Sequence, residues 1–594
     1  MIMKYNILRK IALTAVVSAL ALSSCVDMDL KSKSELSSES VWSDPTTASA
    51  VVRGCYMPFR NVWADCGNNW PENMGSQIDR EPSRFVVGLL RGTQTTTVDW
   101  GNWGMYYHHI FDCNSVVDHI QSVPAIDPKL AAQYAAEARV IRCYDYYILN
   151  VEYGGVPWYE HELKDIDNLL EPRGTREETF QKIIDDLTLA INEENFPGKF
   201  DRNSADYGRV NKGMAYMLRG FSYMWLKEWA KAEADFRAVG DCGFSLYTAG
   251  DKPFRDLFTV AQERCDEMIF SIQYDLEASF WDQNGYQRSY GTRSARGWGW
   301  ANYIANPYFV DTFENSDGSK FNWDDVIPGY TTMDKKARRV FFLRDGLTDA
   351  EKAYQAEQGA DMSQYLPKGN EARIRKAYDN RDPRLEMSLI TPYAQFVGGN
   401  DGIARTYTLR FPFRNDKKKP WDILYDKSDQ LFYLVRKMVV EGIDDANHLG
   451  GSGLDHQVYR YAEALLCLAE CLNEQGKVDE AVEEINKIRR RCGAQELNSN
   501  AATMVKGQDD MRKRIRDEFK WELFAENEVY WHEIRWDTWK DDKFGTYEGE
   551  PNGWMQIWGV RDYYYQWGGD HYKLYPIPEE ERLKNPNLTQ NPGW

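Results

Sequence analysis

The middle of the chain carries a group of aromatic residues that no helical or strand period explains. Trp281, Trp298, Trp300, Tyr303 and Trp323 stand among Gly, Asn and Arg residues. A cluster of tryptophans outside any buried stripe indicates a binding surface, because exposed apolar patches are uncommon on soluble proteins. Flat aromatic rings suit the apolar C–H face of a sugar, and amide, carboxylate or guanidinium groups suit its hydroxyl rim. We therefore take a ring-shaped, hydroxylated ligand as the first hypothesis.

Packing inside a local loop core is the alternative interpretation of these residues. For Trp298, Trp300 and Trp323 the two interpretations are equally open, since Gly297 and Gly299 offer little else to pack against. Other tryptophans lie on helical stripes or terminal motifs and are expected to pack in the core. These are Trp103, Trp225, Trp229, Trp521 and Trp594.

The acidic residues raise the possibility of an enzyme. Glycoside hydrolysis needs only two suitably spaced carboxylates, and the chain has 91 Asp and Glu residues. However, the G-x-S-x-G, H-E-x-x-H, P-loop and dinucleotide-binding motifs are all absent. His108, His109 and Asp112 lack a fourth candidate metal ligand nearby. We expect no catalytic residue, no metal site and no cofactor, and a surface glycoside hydrolase remains the alternative.

Composition narrows the possible partners. The formal net charge is −19, which argues against a nucleic-acid partner because phosphate binding needs a basic face. The ten cysteines include no C-x-x-C pair, which argues against a disulfide framework or a zinc site.

Outside the middle region the chain follows helical periodicity. From Trp103 the apolar residues recur every three or four positions. A second helix is expected to end at Tyr153-Gly154-Gly155-Val156-Pro157, where Gly154 or Gly155 can supply the C-cap. Thr175 and Glu178 form a capping box ahead of another apolar stripe. Each of these signals predicts a helix boundary.

Two segments repeat the same pattern of a long helix, a turn and a second helix with small residues at the crossing. One runs from Val210 to Phe236, and the other from Tyr461 to Ile488 with a break at Gly476. Such paired helices resemble tetratricopeptide units. The sequence therefore predicts a mainly α fold, a tetratricopeptide-like helical-repeat scaffold with long irregular loops and a few short strands, one of them at residues 268–274.

The N-terminus has the form of an export signal. Three basic residues precede an uncharged run at residues 11–22, which is too short to span a bilayer. The following Leu-Ser-Ser-Cys25 resembles the bacterial lipoprotein box, so we expect acyl chains on Cys25 to anchor the protein. An ordinary secreted protein with a chance cysteine near its cleavage site is the alternative.

Seven ordered segments, together with this box, resemble the SusD/RagB family. They are the helix at residues 103–120, residues 133–142 before Tyr153-Gly154-Gly155-Val156-Pro157, Gly208-Arg209-Val210-x-Lys212-Gly213, Arg381-Asp382-Pro383-Arg384-Leu385, residues 459–474, residues 485–491, and the tail Tyr575-Pro576-Ile577-Pro578 with residues 585–594. Residues 521–536 depart from the family pattern, which usually has Arg-x-x-Glu-Leu and Gly-x-Arg there. This departure bears on the local packing of residues 521–536 more than on the resemblance to the family.

The resemblance implies a lipoprotein of the outer membrane, facing the cell exterior. It implies capture of oligosaccharide or polysaccharide and delivery to a SusC-like TonB-dependent transporter. A shallow platform suits such a role, since the ligand must be bound and then released. Some SusD/RagB relatives serve peptide uptake, so peptide or glycopeptide capture is a second possibility.

The resemblance also implies where ligand contacts lie, namely in loops after the first helix-and-turn segment and in the middle region. The early positions that fall there are Trp70, Asp79, Arg80, Trp100 and Asn102, and the later ones are Trp281, Arg296, Trp298, Trp300, Tyr303 and Trp323. Asp79 and Arg80 are equally consistent with a salt bridge inside a loop.

Five segments follow from these observations. Residues 1–24 are the signal peptide and residues 25–42 the lipidated cysteine with a flexible tether. Residues 43–275 and 456–594 are the two helical parts, and residues 276–455 are the loop-rich, ligand-facing part. We expect residues 43–594 to form one compact unit.

Overall fold

The protein is represented by a computed structural model, which describes residues 41–57, 59, 74–80, 102–163, 169–277, 283–414, 419, 421–423, 433–545, 553–555, 562–564 and 567–594. The predicted signal peptide, Cys25 and nearly all of the predicted tether lie outside the described residues. So do Trp70, Trp100 and Trp281.

Helices supply most of the regular structure. The α-helices are α1 Pro45–Gly54, α2 Trp103–His119, α3 Pro128–Tyr153, α4 Arg176–Asn192, α5 Lys212–Trp225, α6 Trp229–Asp241, α7 Pro253–Asp256, α8 Tyr286–Tyr290, α9 Pro307–Thr312, α10 Trp323–Val326, α11 Asp349–Glu357, α12 Asn370–Arg375, α13 Pro383–Ser388, α14 Tyr461–Glu474, α15 Val478–Cys492, α16 Gln508–Glu522, α17 Val529–Arg535, α18 Trp539–Phe544 and α19 Glu579–Lys584. Short 3₁₀ helices lie at Ile120–Ser122, Val260–Gln262, Ala337–Phe342, Met362–Gln364 and Asp570–Lys573.

The strands are short and form four small sheets. They are β1 Ile78–Arg80, β2 Met268–Ile272, β3 Tyr303–Ala305, β4 Leu389–Ile390, β5 Gln395–Gly398, β6 Arg405–Thr408, β7 Trp421–Asp422, β8 Leu434–Val435, β9 His456–Arg460, β10 Gly553–Met555 and β11 Asp562–Tyr564. The sheet orders are β1-β3-β8-β4, β2-β9, β5-β6-β7 and β10-β11. Every pairing is antiparallel except β6 with β7.

Local signals place the helix ends where the sequence predicts them. The Thr175 side chain accepts a hydrogen bond from the Glu178 N–H, and the Glu178 side chain caps Thr175 in return, so the predicted capping box at α4 is confirmed. Helix α3 ends at Tyr153, and its C-cap is Gly154, whose φ of 73° lies in the left-handed region that glycine adopts without strain. Helix α2 begins at Trp103, as its periodicity indicates.

Consecutive helices pack into an array that forms the frame. Each of α2 to α5 contacts the helix that follows it, α6 packs on α14, and α14 contacts both α15 and α16. Gly220 of α5 faces Phe236 of α6, and a Cβ built on Gly220 would lie 2.7 Å from Phe236 Cζ. Only a residue without a side chain permits this close crossing. The predicted mainly α, tetratricopeptide-like fold with irregular loops and short strands is confirmed.

Buried ion pairs join the loop-rich middle of the chain to this frame. Arg384 of α13 contacts Glu518 of α16 at 2.5 Å, and Arg489 of α15 contacts the same carboxylate at 3.0 Å. Arg460 contacts Glu522, one turn further along α16, at 2.7 Å. All five side chains are buried. These arginines lie in the segments that resemble the family, so those segments build the frame.

Apolar side chains form two cores. One core spans α1 to α6 and the C-terminal helices, and the other lies mainly between residues 254 and 454 with a few residues of α15 and α16. In the part of the chain that the structure describes, no helix combines the length and the hydropathy needed to cross a membrane. The division at residues 275 and 455 remains a prediction.

Candidate ligand-binding surface

Three loop-rich segments meet on one side of the second core, and we call them the three-loop face: residues 283–302, 395–408 and 440–455. The Gly399 N–H donates to the Ser294 carbonyl at 2.8 Å, which joins the first two segments. The Gly442 N–H donates to the Val397 carbonyl at 2.8 Å, which joins the second and third. Backbone hydrogen bonds therefore hold the three segments in a fixed relation.

Trp298 projects from this face. Its side chain is 52% exposed, and its backbone φ of 60° lies in the left-handed region. Bulky residues rarely adopt that conformation, which costs about 1–3 kcal/mol and is found mostly where function requires it. The Trp298 N–H donates to the Ala295 carbonyl at 3.2 Å, which closes a tight turn beneath the indole. A strained turn thus presents a large apolar ring to solvent.

Trp300 lies two residues further on and is 42% exposed. Its N–H donates to the Arg288 carbonyl at 2.7 Å. The Arg288 guanidinium also lies 5.6 Å from the centroid of the Trp300 ring, within the range of a cation–π contact. Gly299 makes this fold of the loop possible, because a Cβ there would lie 2.2 Å from the Gly291 carbonyl oxygen.

Arg296 lies next to this tryptophan pair and is half-buried. Its Nη1 would be 3.0 Å from a Cβ built on Gly402, so the guanidinium reaches across to the second loop segment. Its Nε is buried and has no hydrogen-bond acceptor. The structure therefore brings Arg296, Trp298 and Trp300 together, as the sequence-based hypothesis requires.

Two predicted ligand contacts are corrected by the structure. Trp323 is 7% exposed, stacks on Tyr330 at 4.5 Å between ring centroids, and donates from Nε1 to Asp311 at 3.0 Å. Tyr303 is 2% exposed in β3 and stacks on Tyr290 at 4.7 Å. Both rings belong to the second core and have no open face for a sugar, so the loop-core alternative holds for Trp323.

Three of the early candidate residues, Asp79, Arg80 and Asn102, lie in the described part of the chain. Asp79 and Arg80 lie in strand β1, whose register pairs them with Ile304 and Tyr303 of β3. The expectation that they lie in a loop is therefore wrong for their backbone. Asn102 is exposed and precedes α2 with a φ of 57°, but its side chain makes no capping hydrogen bond. A ligand role for Asn102 stays a prediction.

Further exposed apolar side chains on the three-loop face were missed by sequence reasoning. They are Val397, Ile403, Ile443 and Leu449. Each stands directly beside a glycine, as do Trp298 and Trp300. Large apolar residues next to glycines are thus the signal that could have found them.

A buried carboxyl group lies at the end of the third loop segment. Asp455 accepts a hydrogen bond from the Tyr274 N–H at 2.9 Å, and its own N–H donates to Glu263 at 3.1 Å. Burial raises the pKa of Asp455 to about 8, and the Glu263 carboxylate adds to the rise. The carboxyl group is thus protonated in the folded protein at neutral pH, beneath the surface and away from solvent.

A cleft of about 780 Å³ lies elsewhere, between α7, α13, α14 and α15. Phe254, Leu465 and Met387 contribute apolar lining, and Lys252 and Arg490 contribute charge. Lys252 pairs with Glu386 at 3.5 Å. Phe254 is fully buried, so its ring offers no face for stacking. The cleft is therefore a weaker candidate for sugar binding than the three-loop face.

Two protein-family models match the sequence of this chain. The model described as "SusD family" matches residues 266–594, which is more than half of the chain. The model described as "Starch-binding associating with outer membrane" matches residues 86–193. The chain belongs to the SusD family.

Individual relatives extend the likeness over nearly the whole chain. A SusD-like protein of Formosa agariphila is 23% identical over 87% of this chain and 89% of its own length. The crystal structure of a SusD-like protein of Bacteroides fragilis has a TM-score of 0.69 at 19% identity, covering 94% of this chain and 99% of that one. A SusD-like carbohydrate binding protein of Bacteroides fragilis has a TM-score of 0.67 at 20% identity, covering 92% and 100%.

Proposed function

We propose that this protein is a non-catalytic, lipid-anchored protein of the outer membrane that binds glycan at the three-loop face and delivers it to a SusC-like TonB-dependent transporter. The observation that carries the glycan-binding proposal is the exposed, strained Trp298 beside the exposed Trp300. Two indoles held open by backbone contacts form a platform on which sugar rings stack without deep burial.

Family membership supports a carbohydrate ligand and an outer-membrane location. One of the two matching models is described as starch-binding and associated with the outer membrane, and one structural relative is described as carbohydrate binding. The Leu-Ser-Ser-Cys25 box supports attachment through acyl chains on Cys25. Partnership with a transporter and export to the cell surface rest on the family resemblance alone.

The proposal is tested by retention of the full-length protein on polysaccharide gels. We expect wild-type protein to be retarded by at least one polysaccharide in a broad panel, and Trp298→Ala with Trp300→Ala to abolish that retardation. Leu189→Ala removes an exposed apolar side chain from α4 and serves as the matched control. Retention that is unchanged in the double tryptophan variant would refute the choice of site.

Two rival functions are separated by companion measurements. Calorimetric titration with a peptide library tests peptide capture, and release of reducing sugar from each retained polysaccharide tests hydrolysis. Peptide binding that depends on Trp298, without any polysaccharide retention, would replace glycan by peptide as the ligand. Reducing-sugar release would overturn the non-catalytic proposal.

A further inference from the structure

The first segment of the three-loop face is locally basic in an acidic protein. Residues 283–302 contain Arg288, Arg293 and Arg296 but no Asp or Glu, although the whole chain has a net charge of −19. Distant carboxylates matter little at this surface, because the Debye length is about 8 Å at physiological ionic strength. A ligand on Trp298 therefore meets mainly the charges of the adjoining loops.

Arg296 has no carboxylate partner among the residues that the structure describes. In the described part of the chain it forms no salt bridge, and its buried Nε has no acceptor. A guanidinium carries five N–H donors, and a buried donor without an acceptor costs about 1–3 kcal/mol. The side chain is held against Gly402, where any Cβ would crowd Nη1 at 3.0 Å. The guanidinium therefore lies between the first and second loop segments, and its Nε has no acceptor.

The acids of the neighbouring loops do not neutralise Arg296. Asp401 pairs with Arg405 at 2.5 Å, and this hydrogen bond lowers the pKa of Asp401. Glu441 is shared between Arg255, at 2.8 Å, and Arg436. Of the remaining acids of the face, Asp444 and Asp445 are exposed on the third segment and form no salt bridge with a described residue, and Asp455 is buried.

We propose that the three-loop face selects acidic glycans, and that Arg296 binds the carboxylate or sulfate of a sugar unit stacked on Trp298. This inference rests on the proposed glycan-binding function. A guanidinium matches both anions with two parallel N–H donors, and such charge-assisted hydrogen bonds are about twice as strong as neutral ones. The Nη groups of Arg296 are not among its buried, unpartnered atoms, so they are the donors that such an anion would use, whereas Nε is buried.

Two matched polymer pairs isolate the charge of the ligand. Polygalacturonate and its carboxyl-reduced form differ in the carboxylate, and dextran sulfate and dextran differ in the sulfate. We expect calorimetric titration of the full-length protein to show at least tenfold tighter binding to the acidic member of one pair, corresponding to about 1.4 kcal/mol. The pair that shows the difference identifies which anion is recognised.

Variants assign the effect to Arg296. Arg296→Met should weaken acidic-polymer binding at least tenfold and neutral-polymer binding less than twofold, and Arg296→Lys should retain part of the preference. Arg237→Met removes a half-exposed arginine on α6, away from the three-loop face and the cleft, and controls for the change in net charge. Melting temperatures of both Arg296 variants establish that they fold.

The outcomes separate this inference from the proposed function. Equal affinity for the acidic and neutral members of both pairs, or equal weakening of both by Arg296→Met, overturns the acidic-glycan inference. If Trp298→Ala still abolishes neutral-polymer binding in that case, the proposed glycan-binding function stands. Absence of binding to all four polymers overturns the acidic-glycan inference. Absence of retention by the whole polysaccharide panel overturns the proposed function as well.

Discussion

Gly297 and Gly450 are in backbone contact, and a Cβ built on Gly297 would lie 2.1 Å from the Gly450 nitrogen. The contact joins the first and third segments of the three-loop face immediately before Trp298. Gly297 also has a φ of 81°, which any other residue adopts only with strain. The orientation of the Trp298 indole therefore depends on two residues that have no side chain.

Gly297→Ala should separate the two loop segments and move Trp298. We expect at least a tenfold loss of glycan affinity and a loss of stability of about 2–4 kcal/mol, since both an overpacked contact and an unfavourable φ contribute. Gly329→Ala is the matched control, because Gly329 has the same φ of 81° but no atom within 4 Å of a built Cβ. Titration and urea unfolding of both variants test this, and equal effects would contradict it.

Trp323→Ala should reduce the stability of the protein, whereas Trp298→Ala should reduce its binding to polysaccharide. Trp323 is buried against Tyr330 and Phe342, so its removal leaves a cavity and should cost about 3–5 kcal/mol of unfolding free energy. Trp298 is exposed, so its removal should change stability by about 0.5 kcal/mol or less while abolishing retention on polysaccharide. Urea denaturation measures the first effect, and a stable Trp323→Ala protein would show that the second core is assigned wrongly.

Asp455→Asn should stabilise the protein increasingly as pH rises. Asp455 has a folded pKa of about 8, raised from 3.8. Between those values the folded state binds more protons than the unfolded state, so wild-type stability falls as pH rises from about 4 to about 8. Asparagine keeps the acceptor for the Tyr274 N–H and has no proton to lose.

Thermal unfolding at several pH values measures this difference. The melting-temperature gain of Asp455→Asn over wild type should grow from pH 5 to pH 8 and correspond at pH 8 to a stabilisation on the order of a few kcal/mol. Asp444→Asn, on an exposed position of the same segment, should show no such trend. A gain that does not vary with pH would rule out the proposed titration of Asp455.

Glu522→Gln should strongly destabilise the junction between the loops and the frame. Glu522 accepts hydrogen bonds from Arg460, at 2.7 Å, from Arg491, and from Arg384 of the loop-rich part, at 3.5 Å, and all four side chains are buried. Loss of the carboxylate charge leaves buried guanidinium groups incompletely paired, which costs about 3–5 kcal/mol. Urea unfolding at pH 7 measures this loss.

Glu483→Gln provides the control for that experiment. Glu483 pairs with Arg490 at 3.5 Å on the exposed surface of α15, where ion pairs contribute about 0–1 kcal/mol. An equally small effect of Glu522→Gln would mean that the buried pairs do not hold the two parts together.

The frame could be predicted from sequence because its signals are local. The capping box at Thr175, the glycine at position 154 and the apolar stripe from Trp103 each act within a few residues of the chain. For Trp298 and Trp300 the sequence left surface exposure and packing in a local core equally open, because glycines beside an indole offer little to pack against but do not exclude burial by distant residues.

The burial of Trp323 and Tyr303 could not be predicted from such local signals. Trp323 is covered by Phe342 and Tyr378, which come from separate later segments of the chain. Tyr303 is buried because β3 is flanked by β1 and β8, strands that lie far apart in the sequence. Burial in both cases depends on long-range contacts that short-range periodicity does not encode.

The most direct test of the account is a crystal structure of the protein in complex with a glycan that it retains. We predict a sugar ring stacked on the indole of Trp298, with further contacts to Trp300 and Arg296 on the three-loop face. A glycan bound instead in the cleft lined by Phe254 and Tyr461, with Trp298 uncovered, would contradict the account.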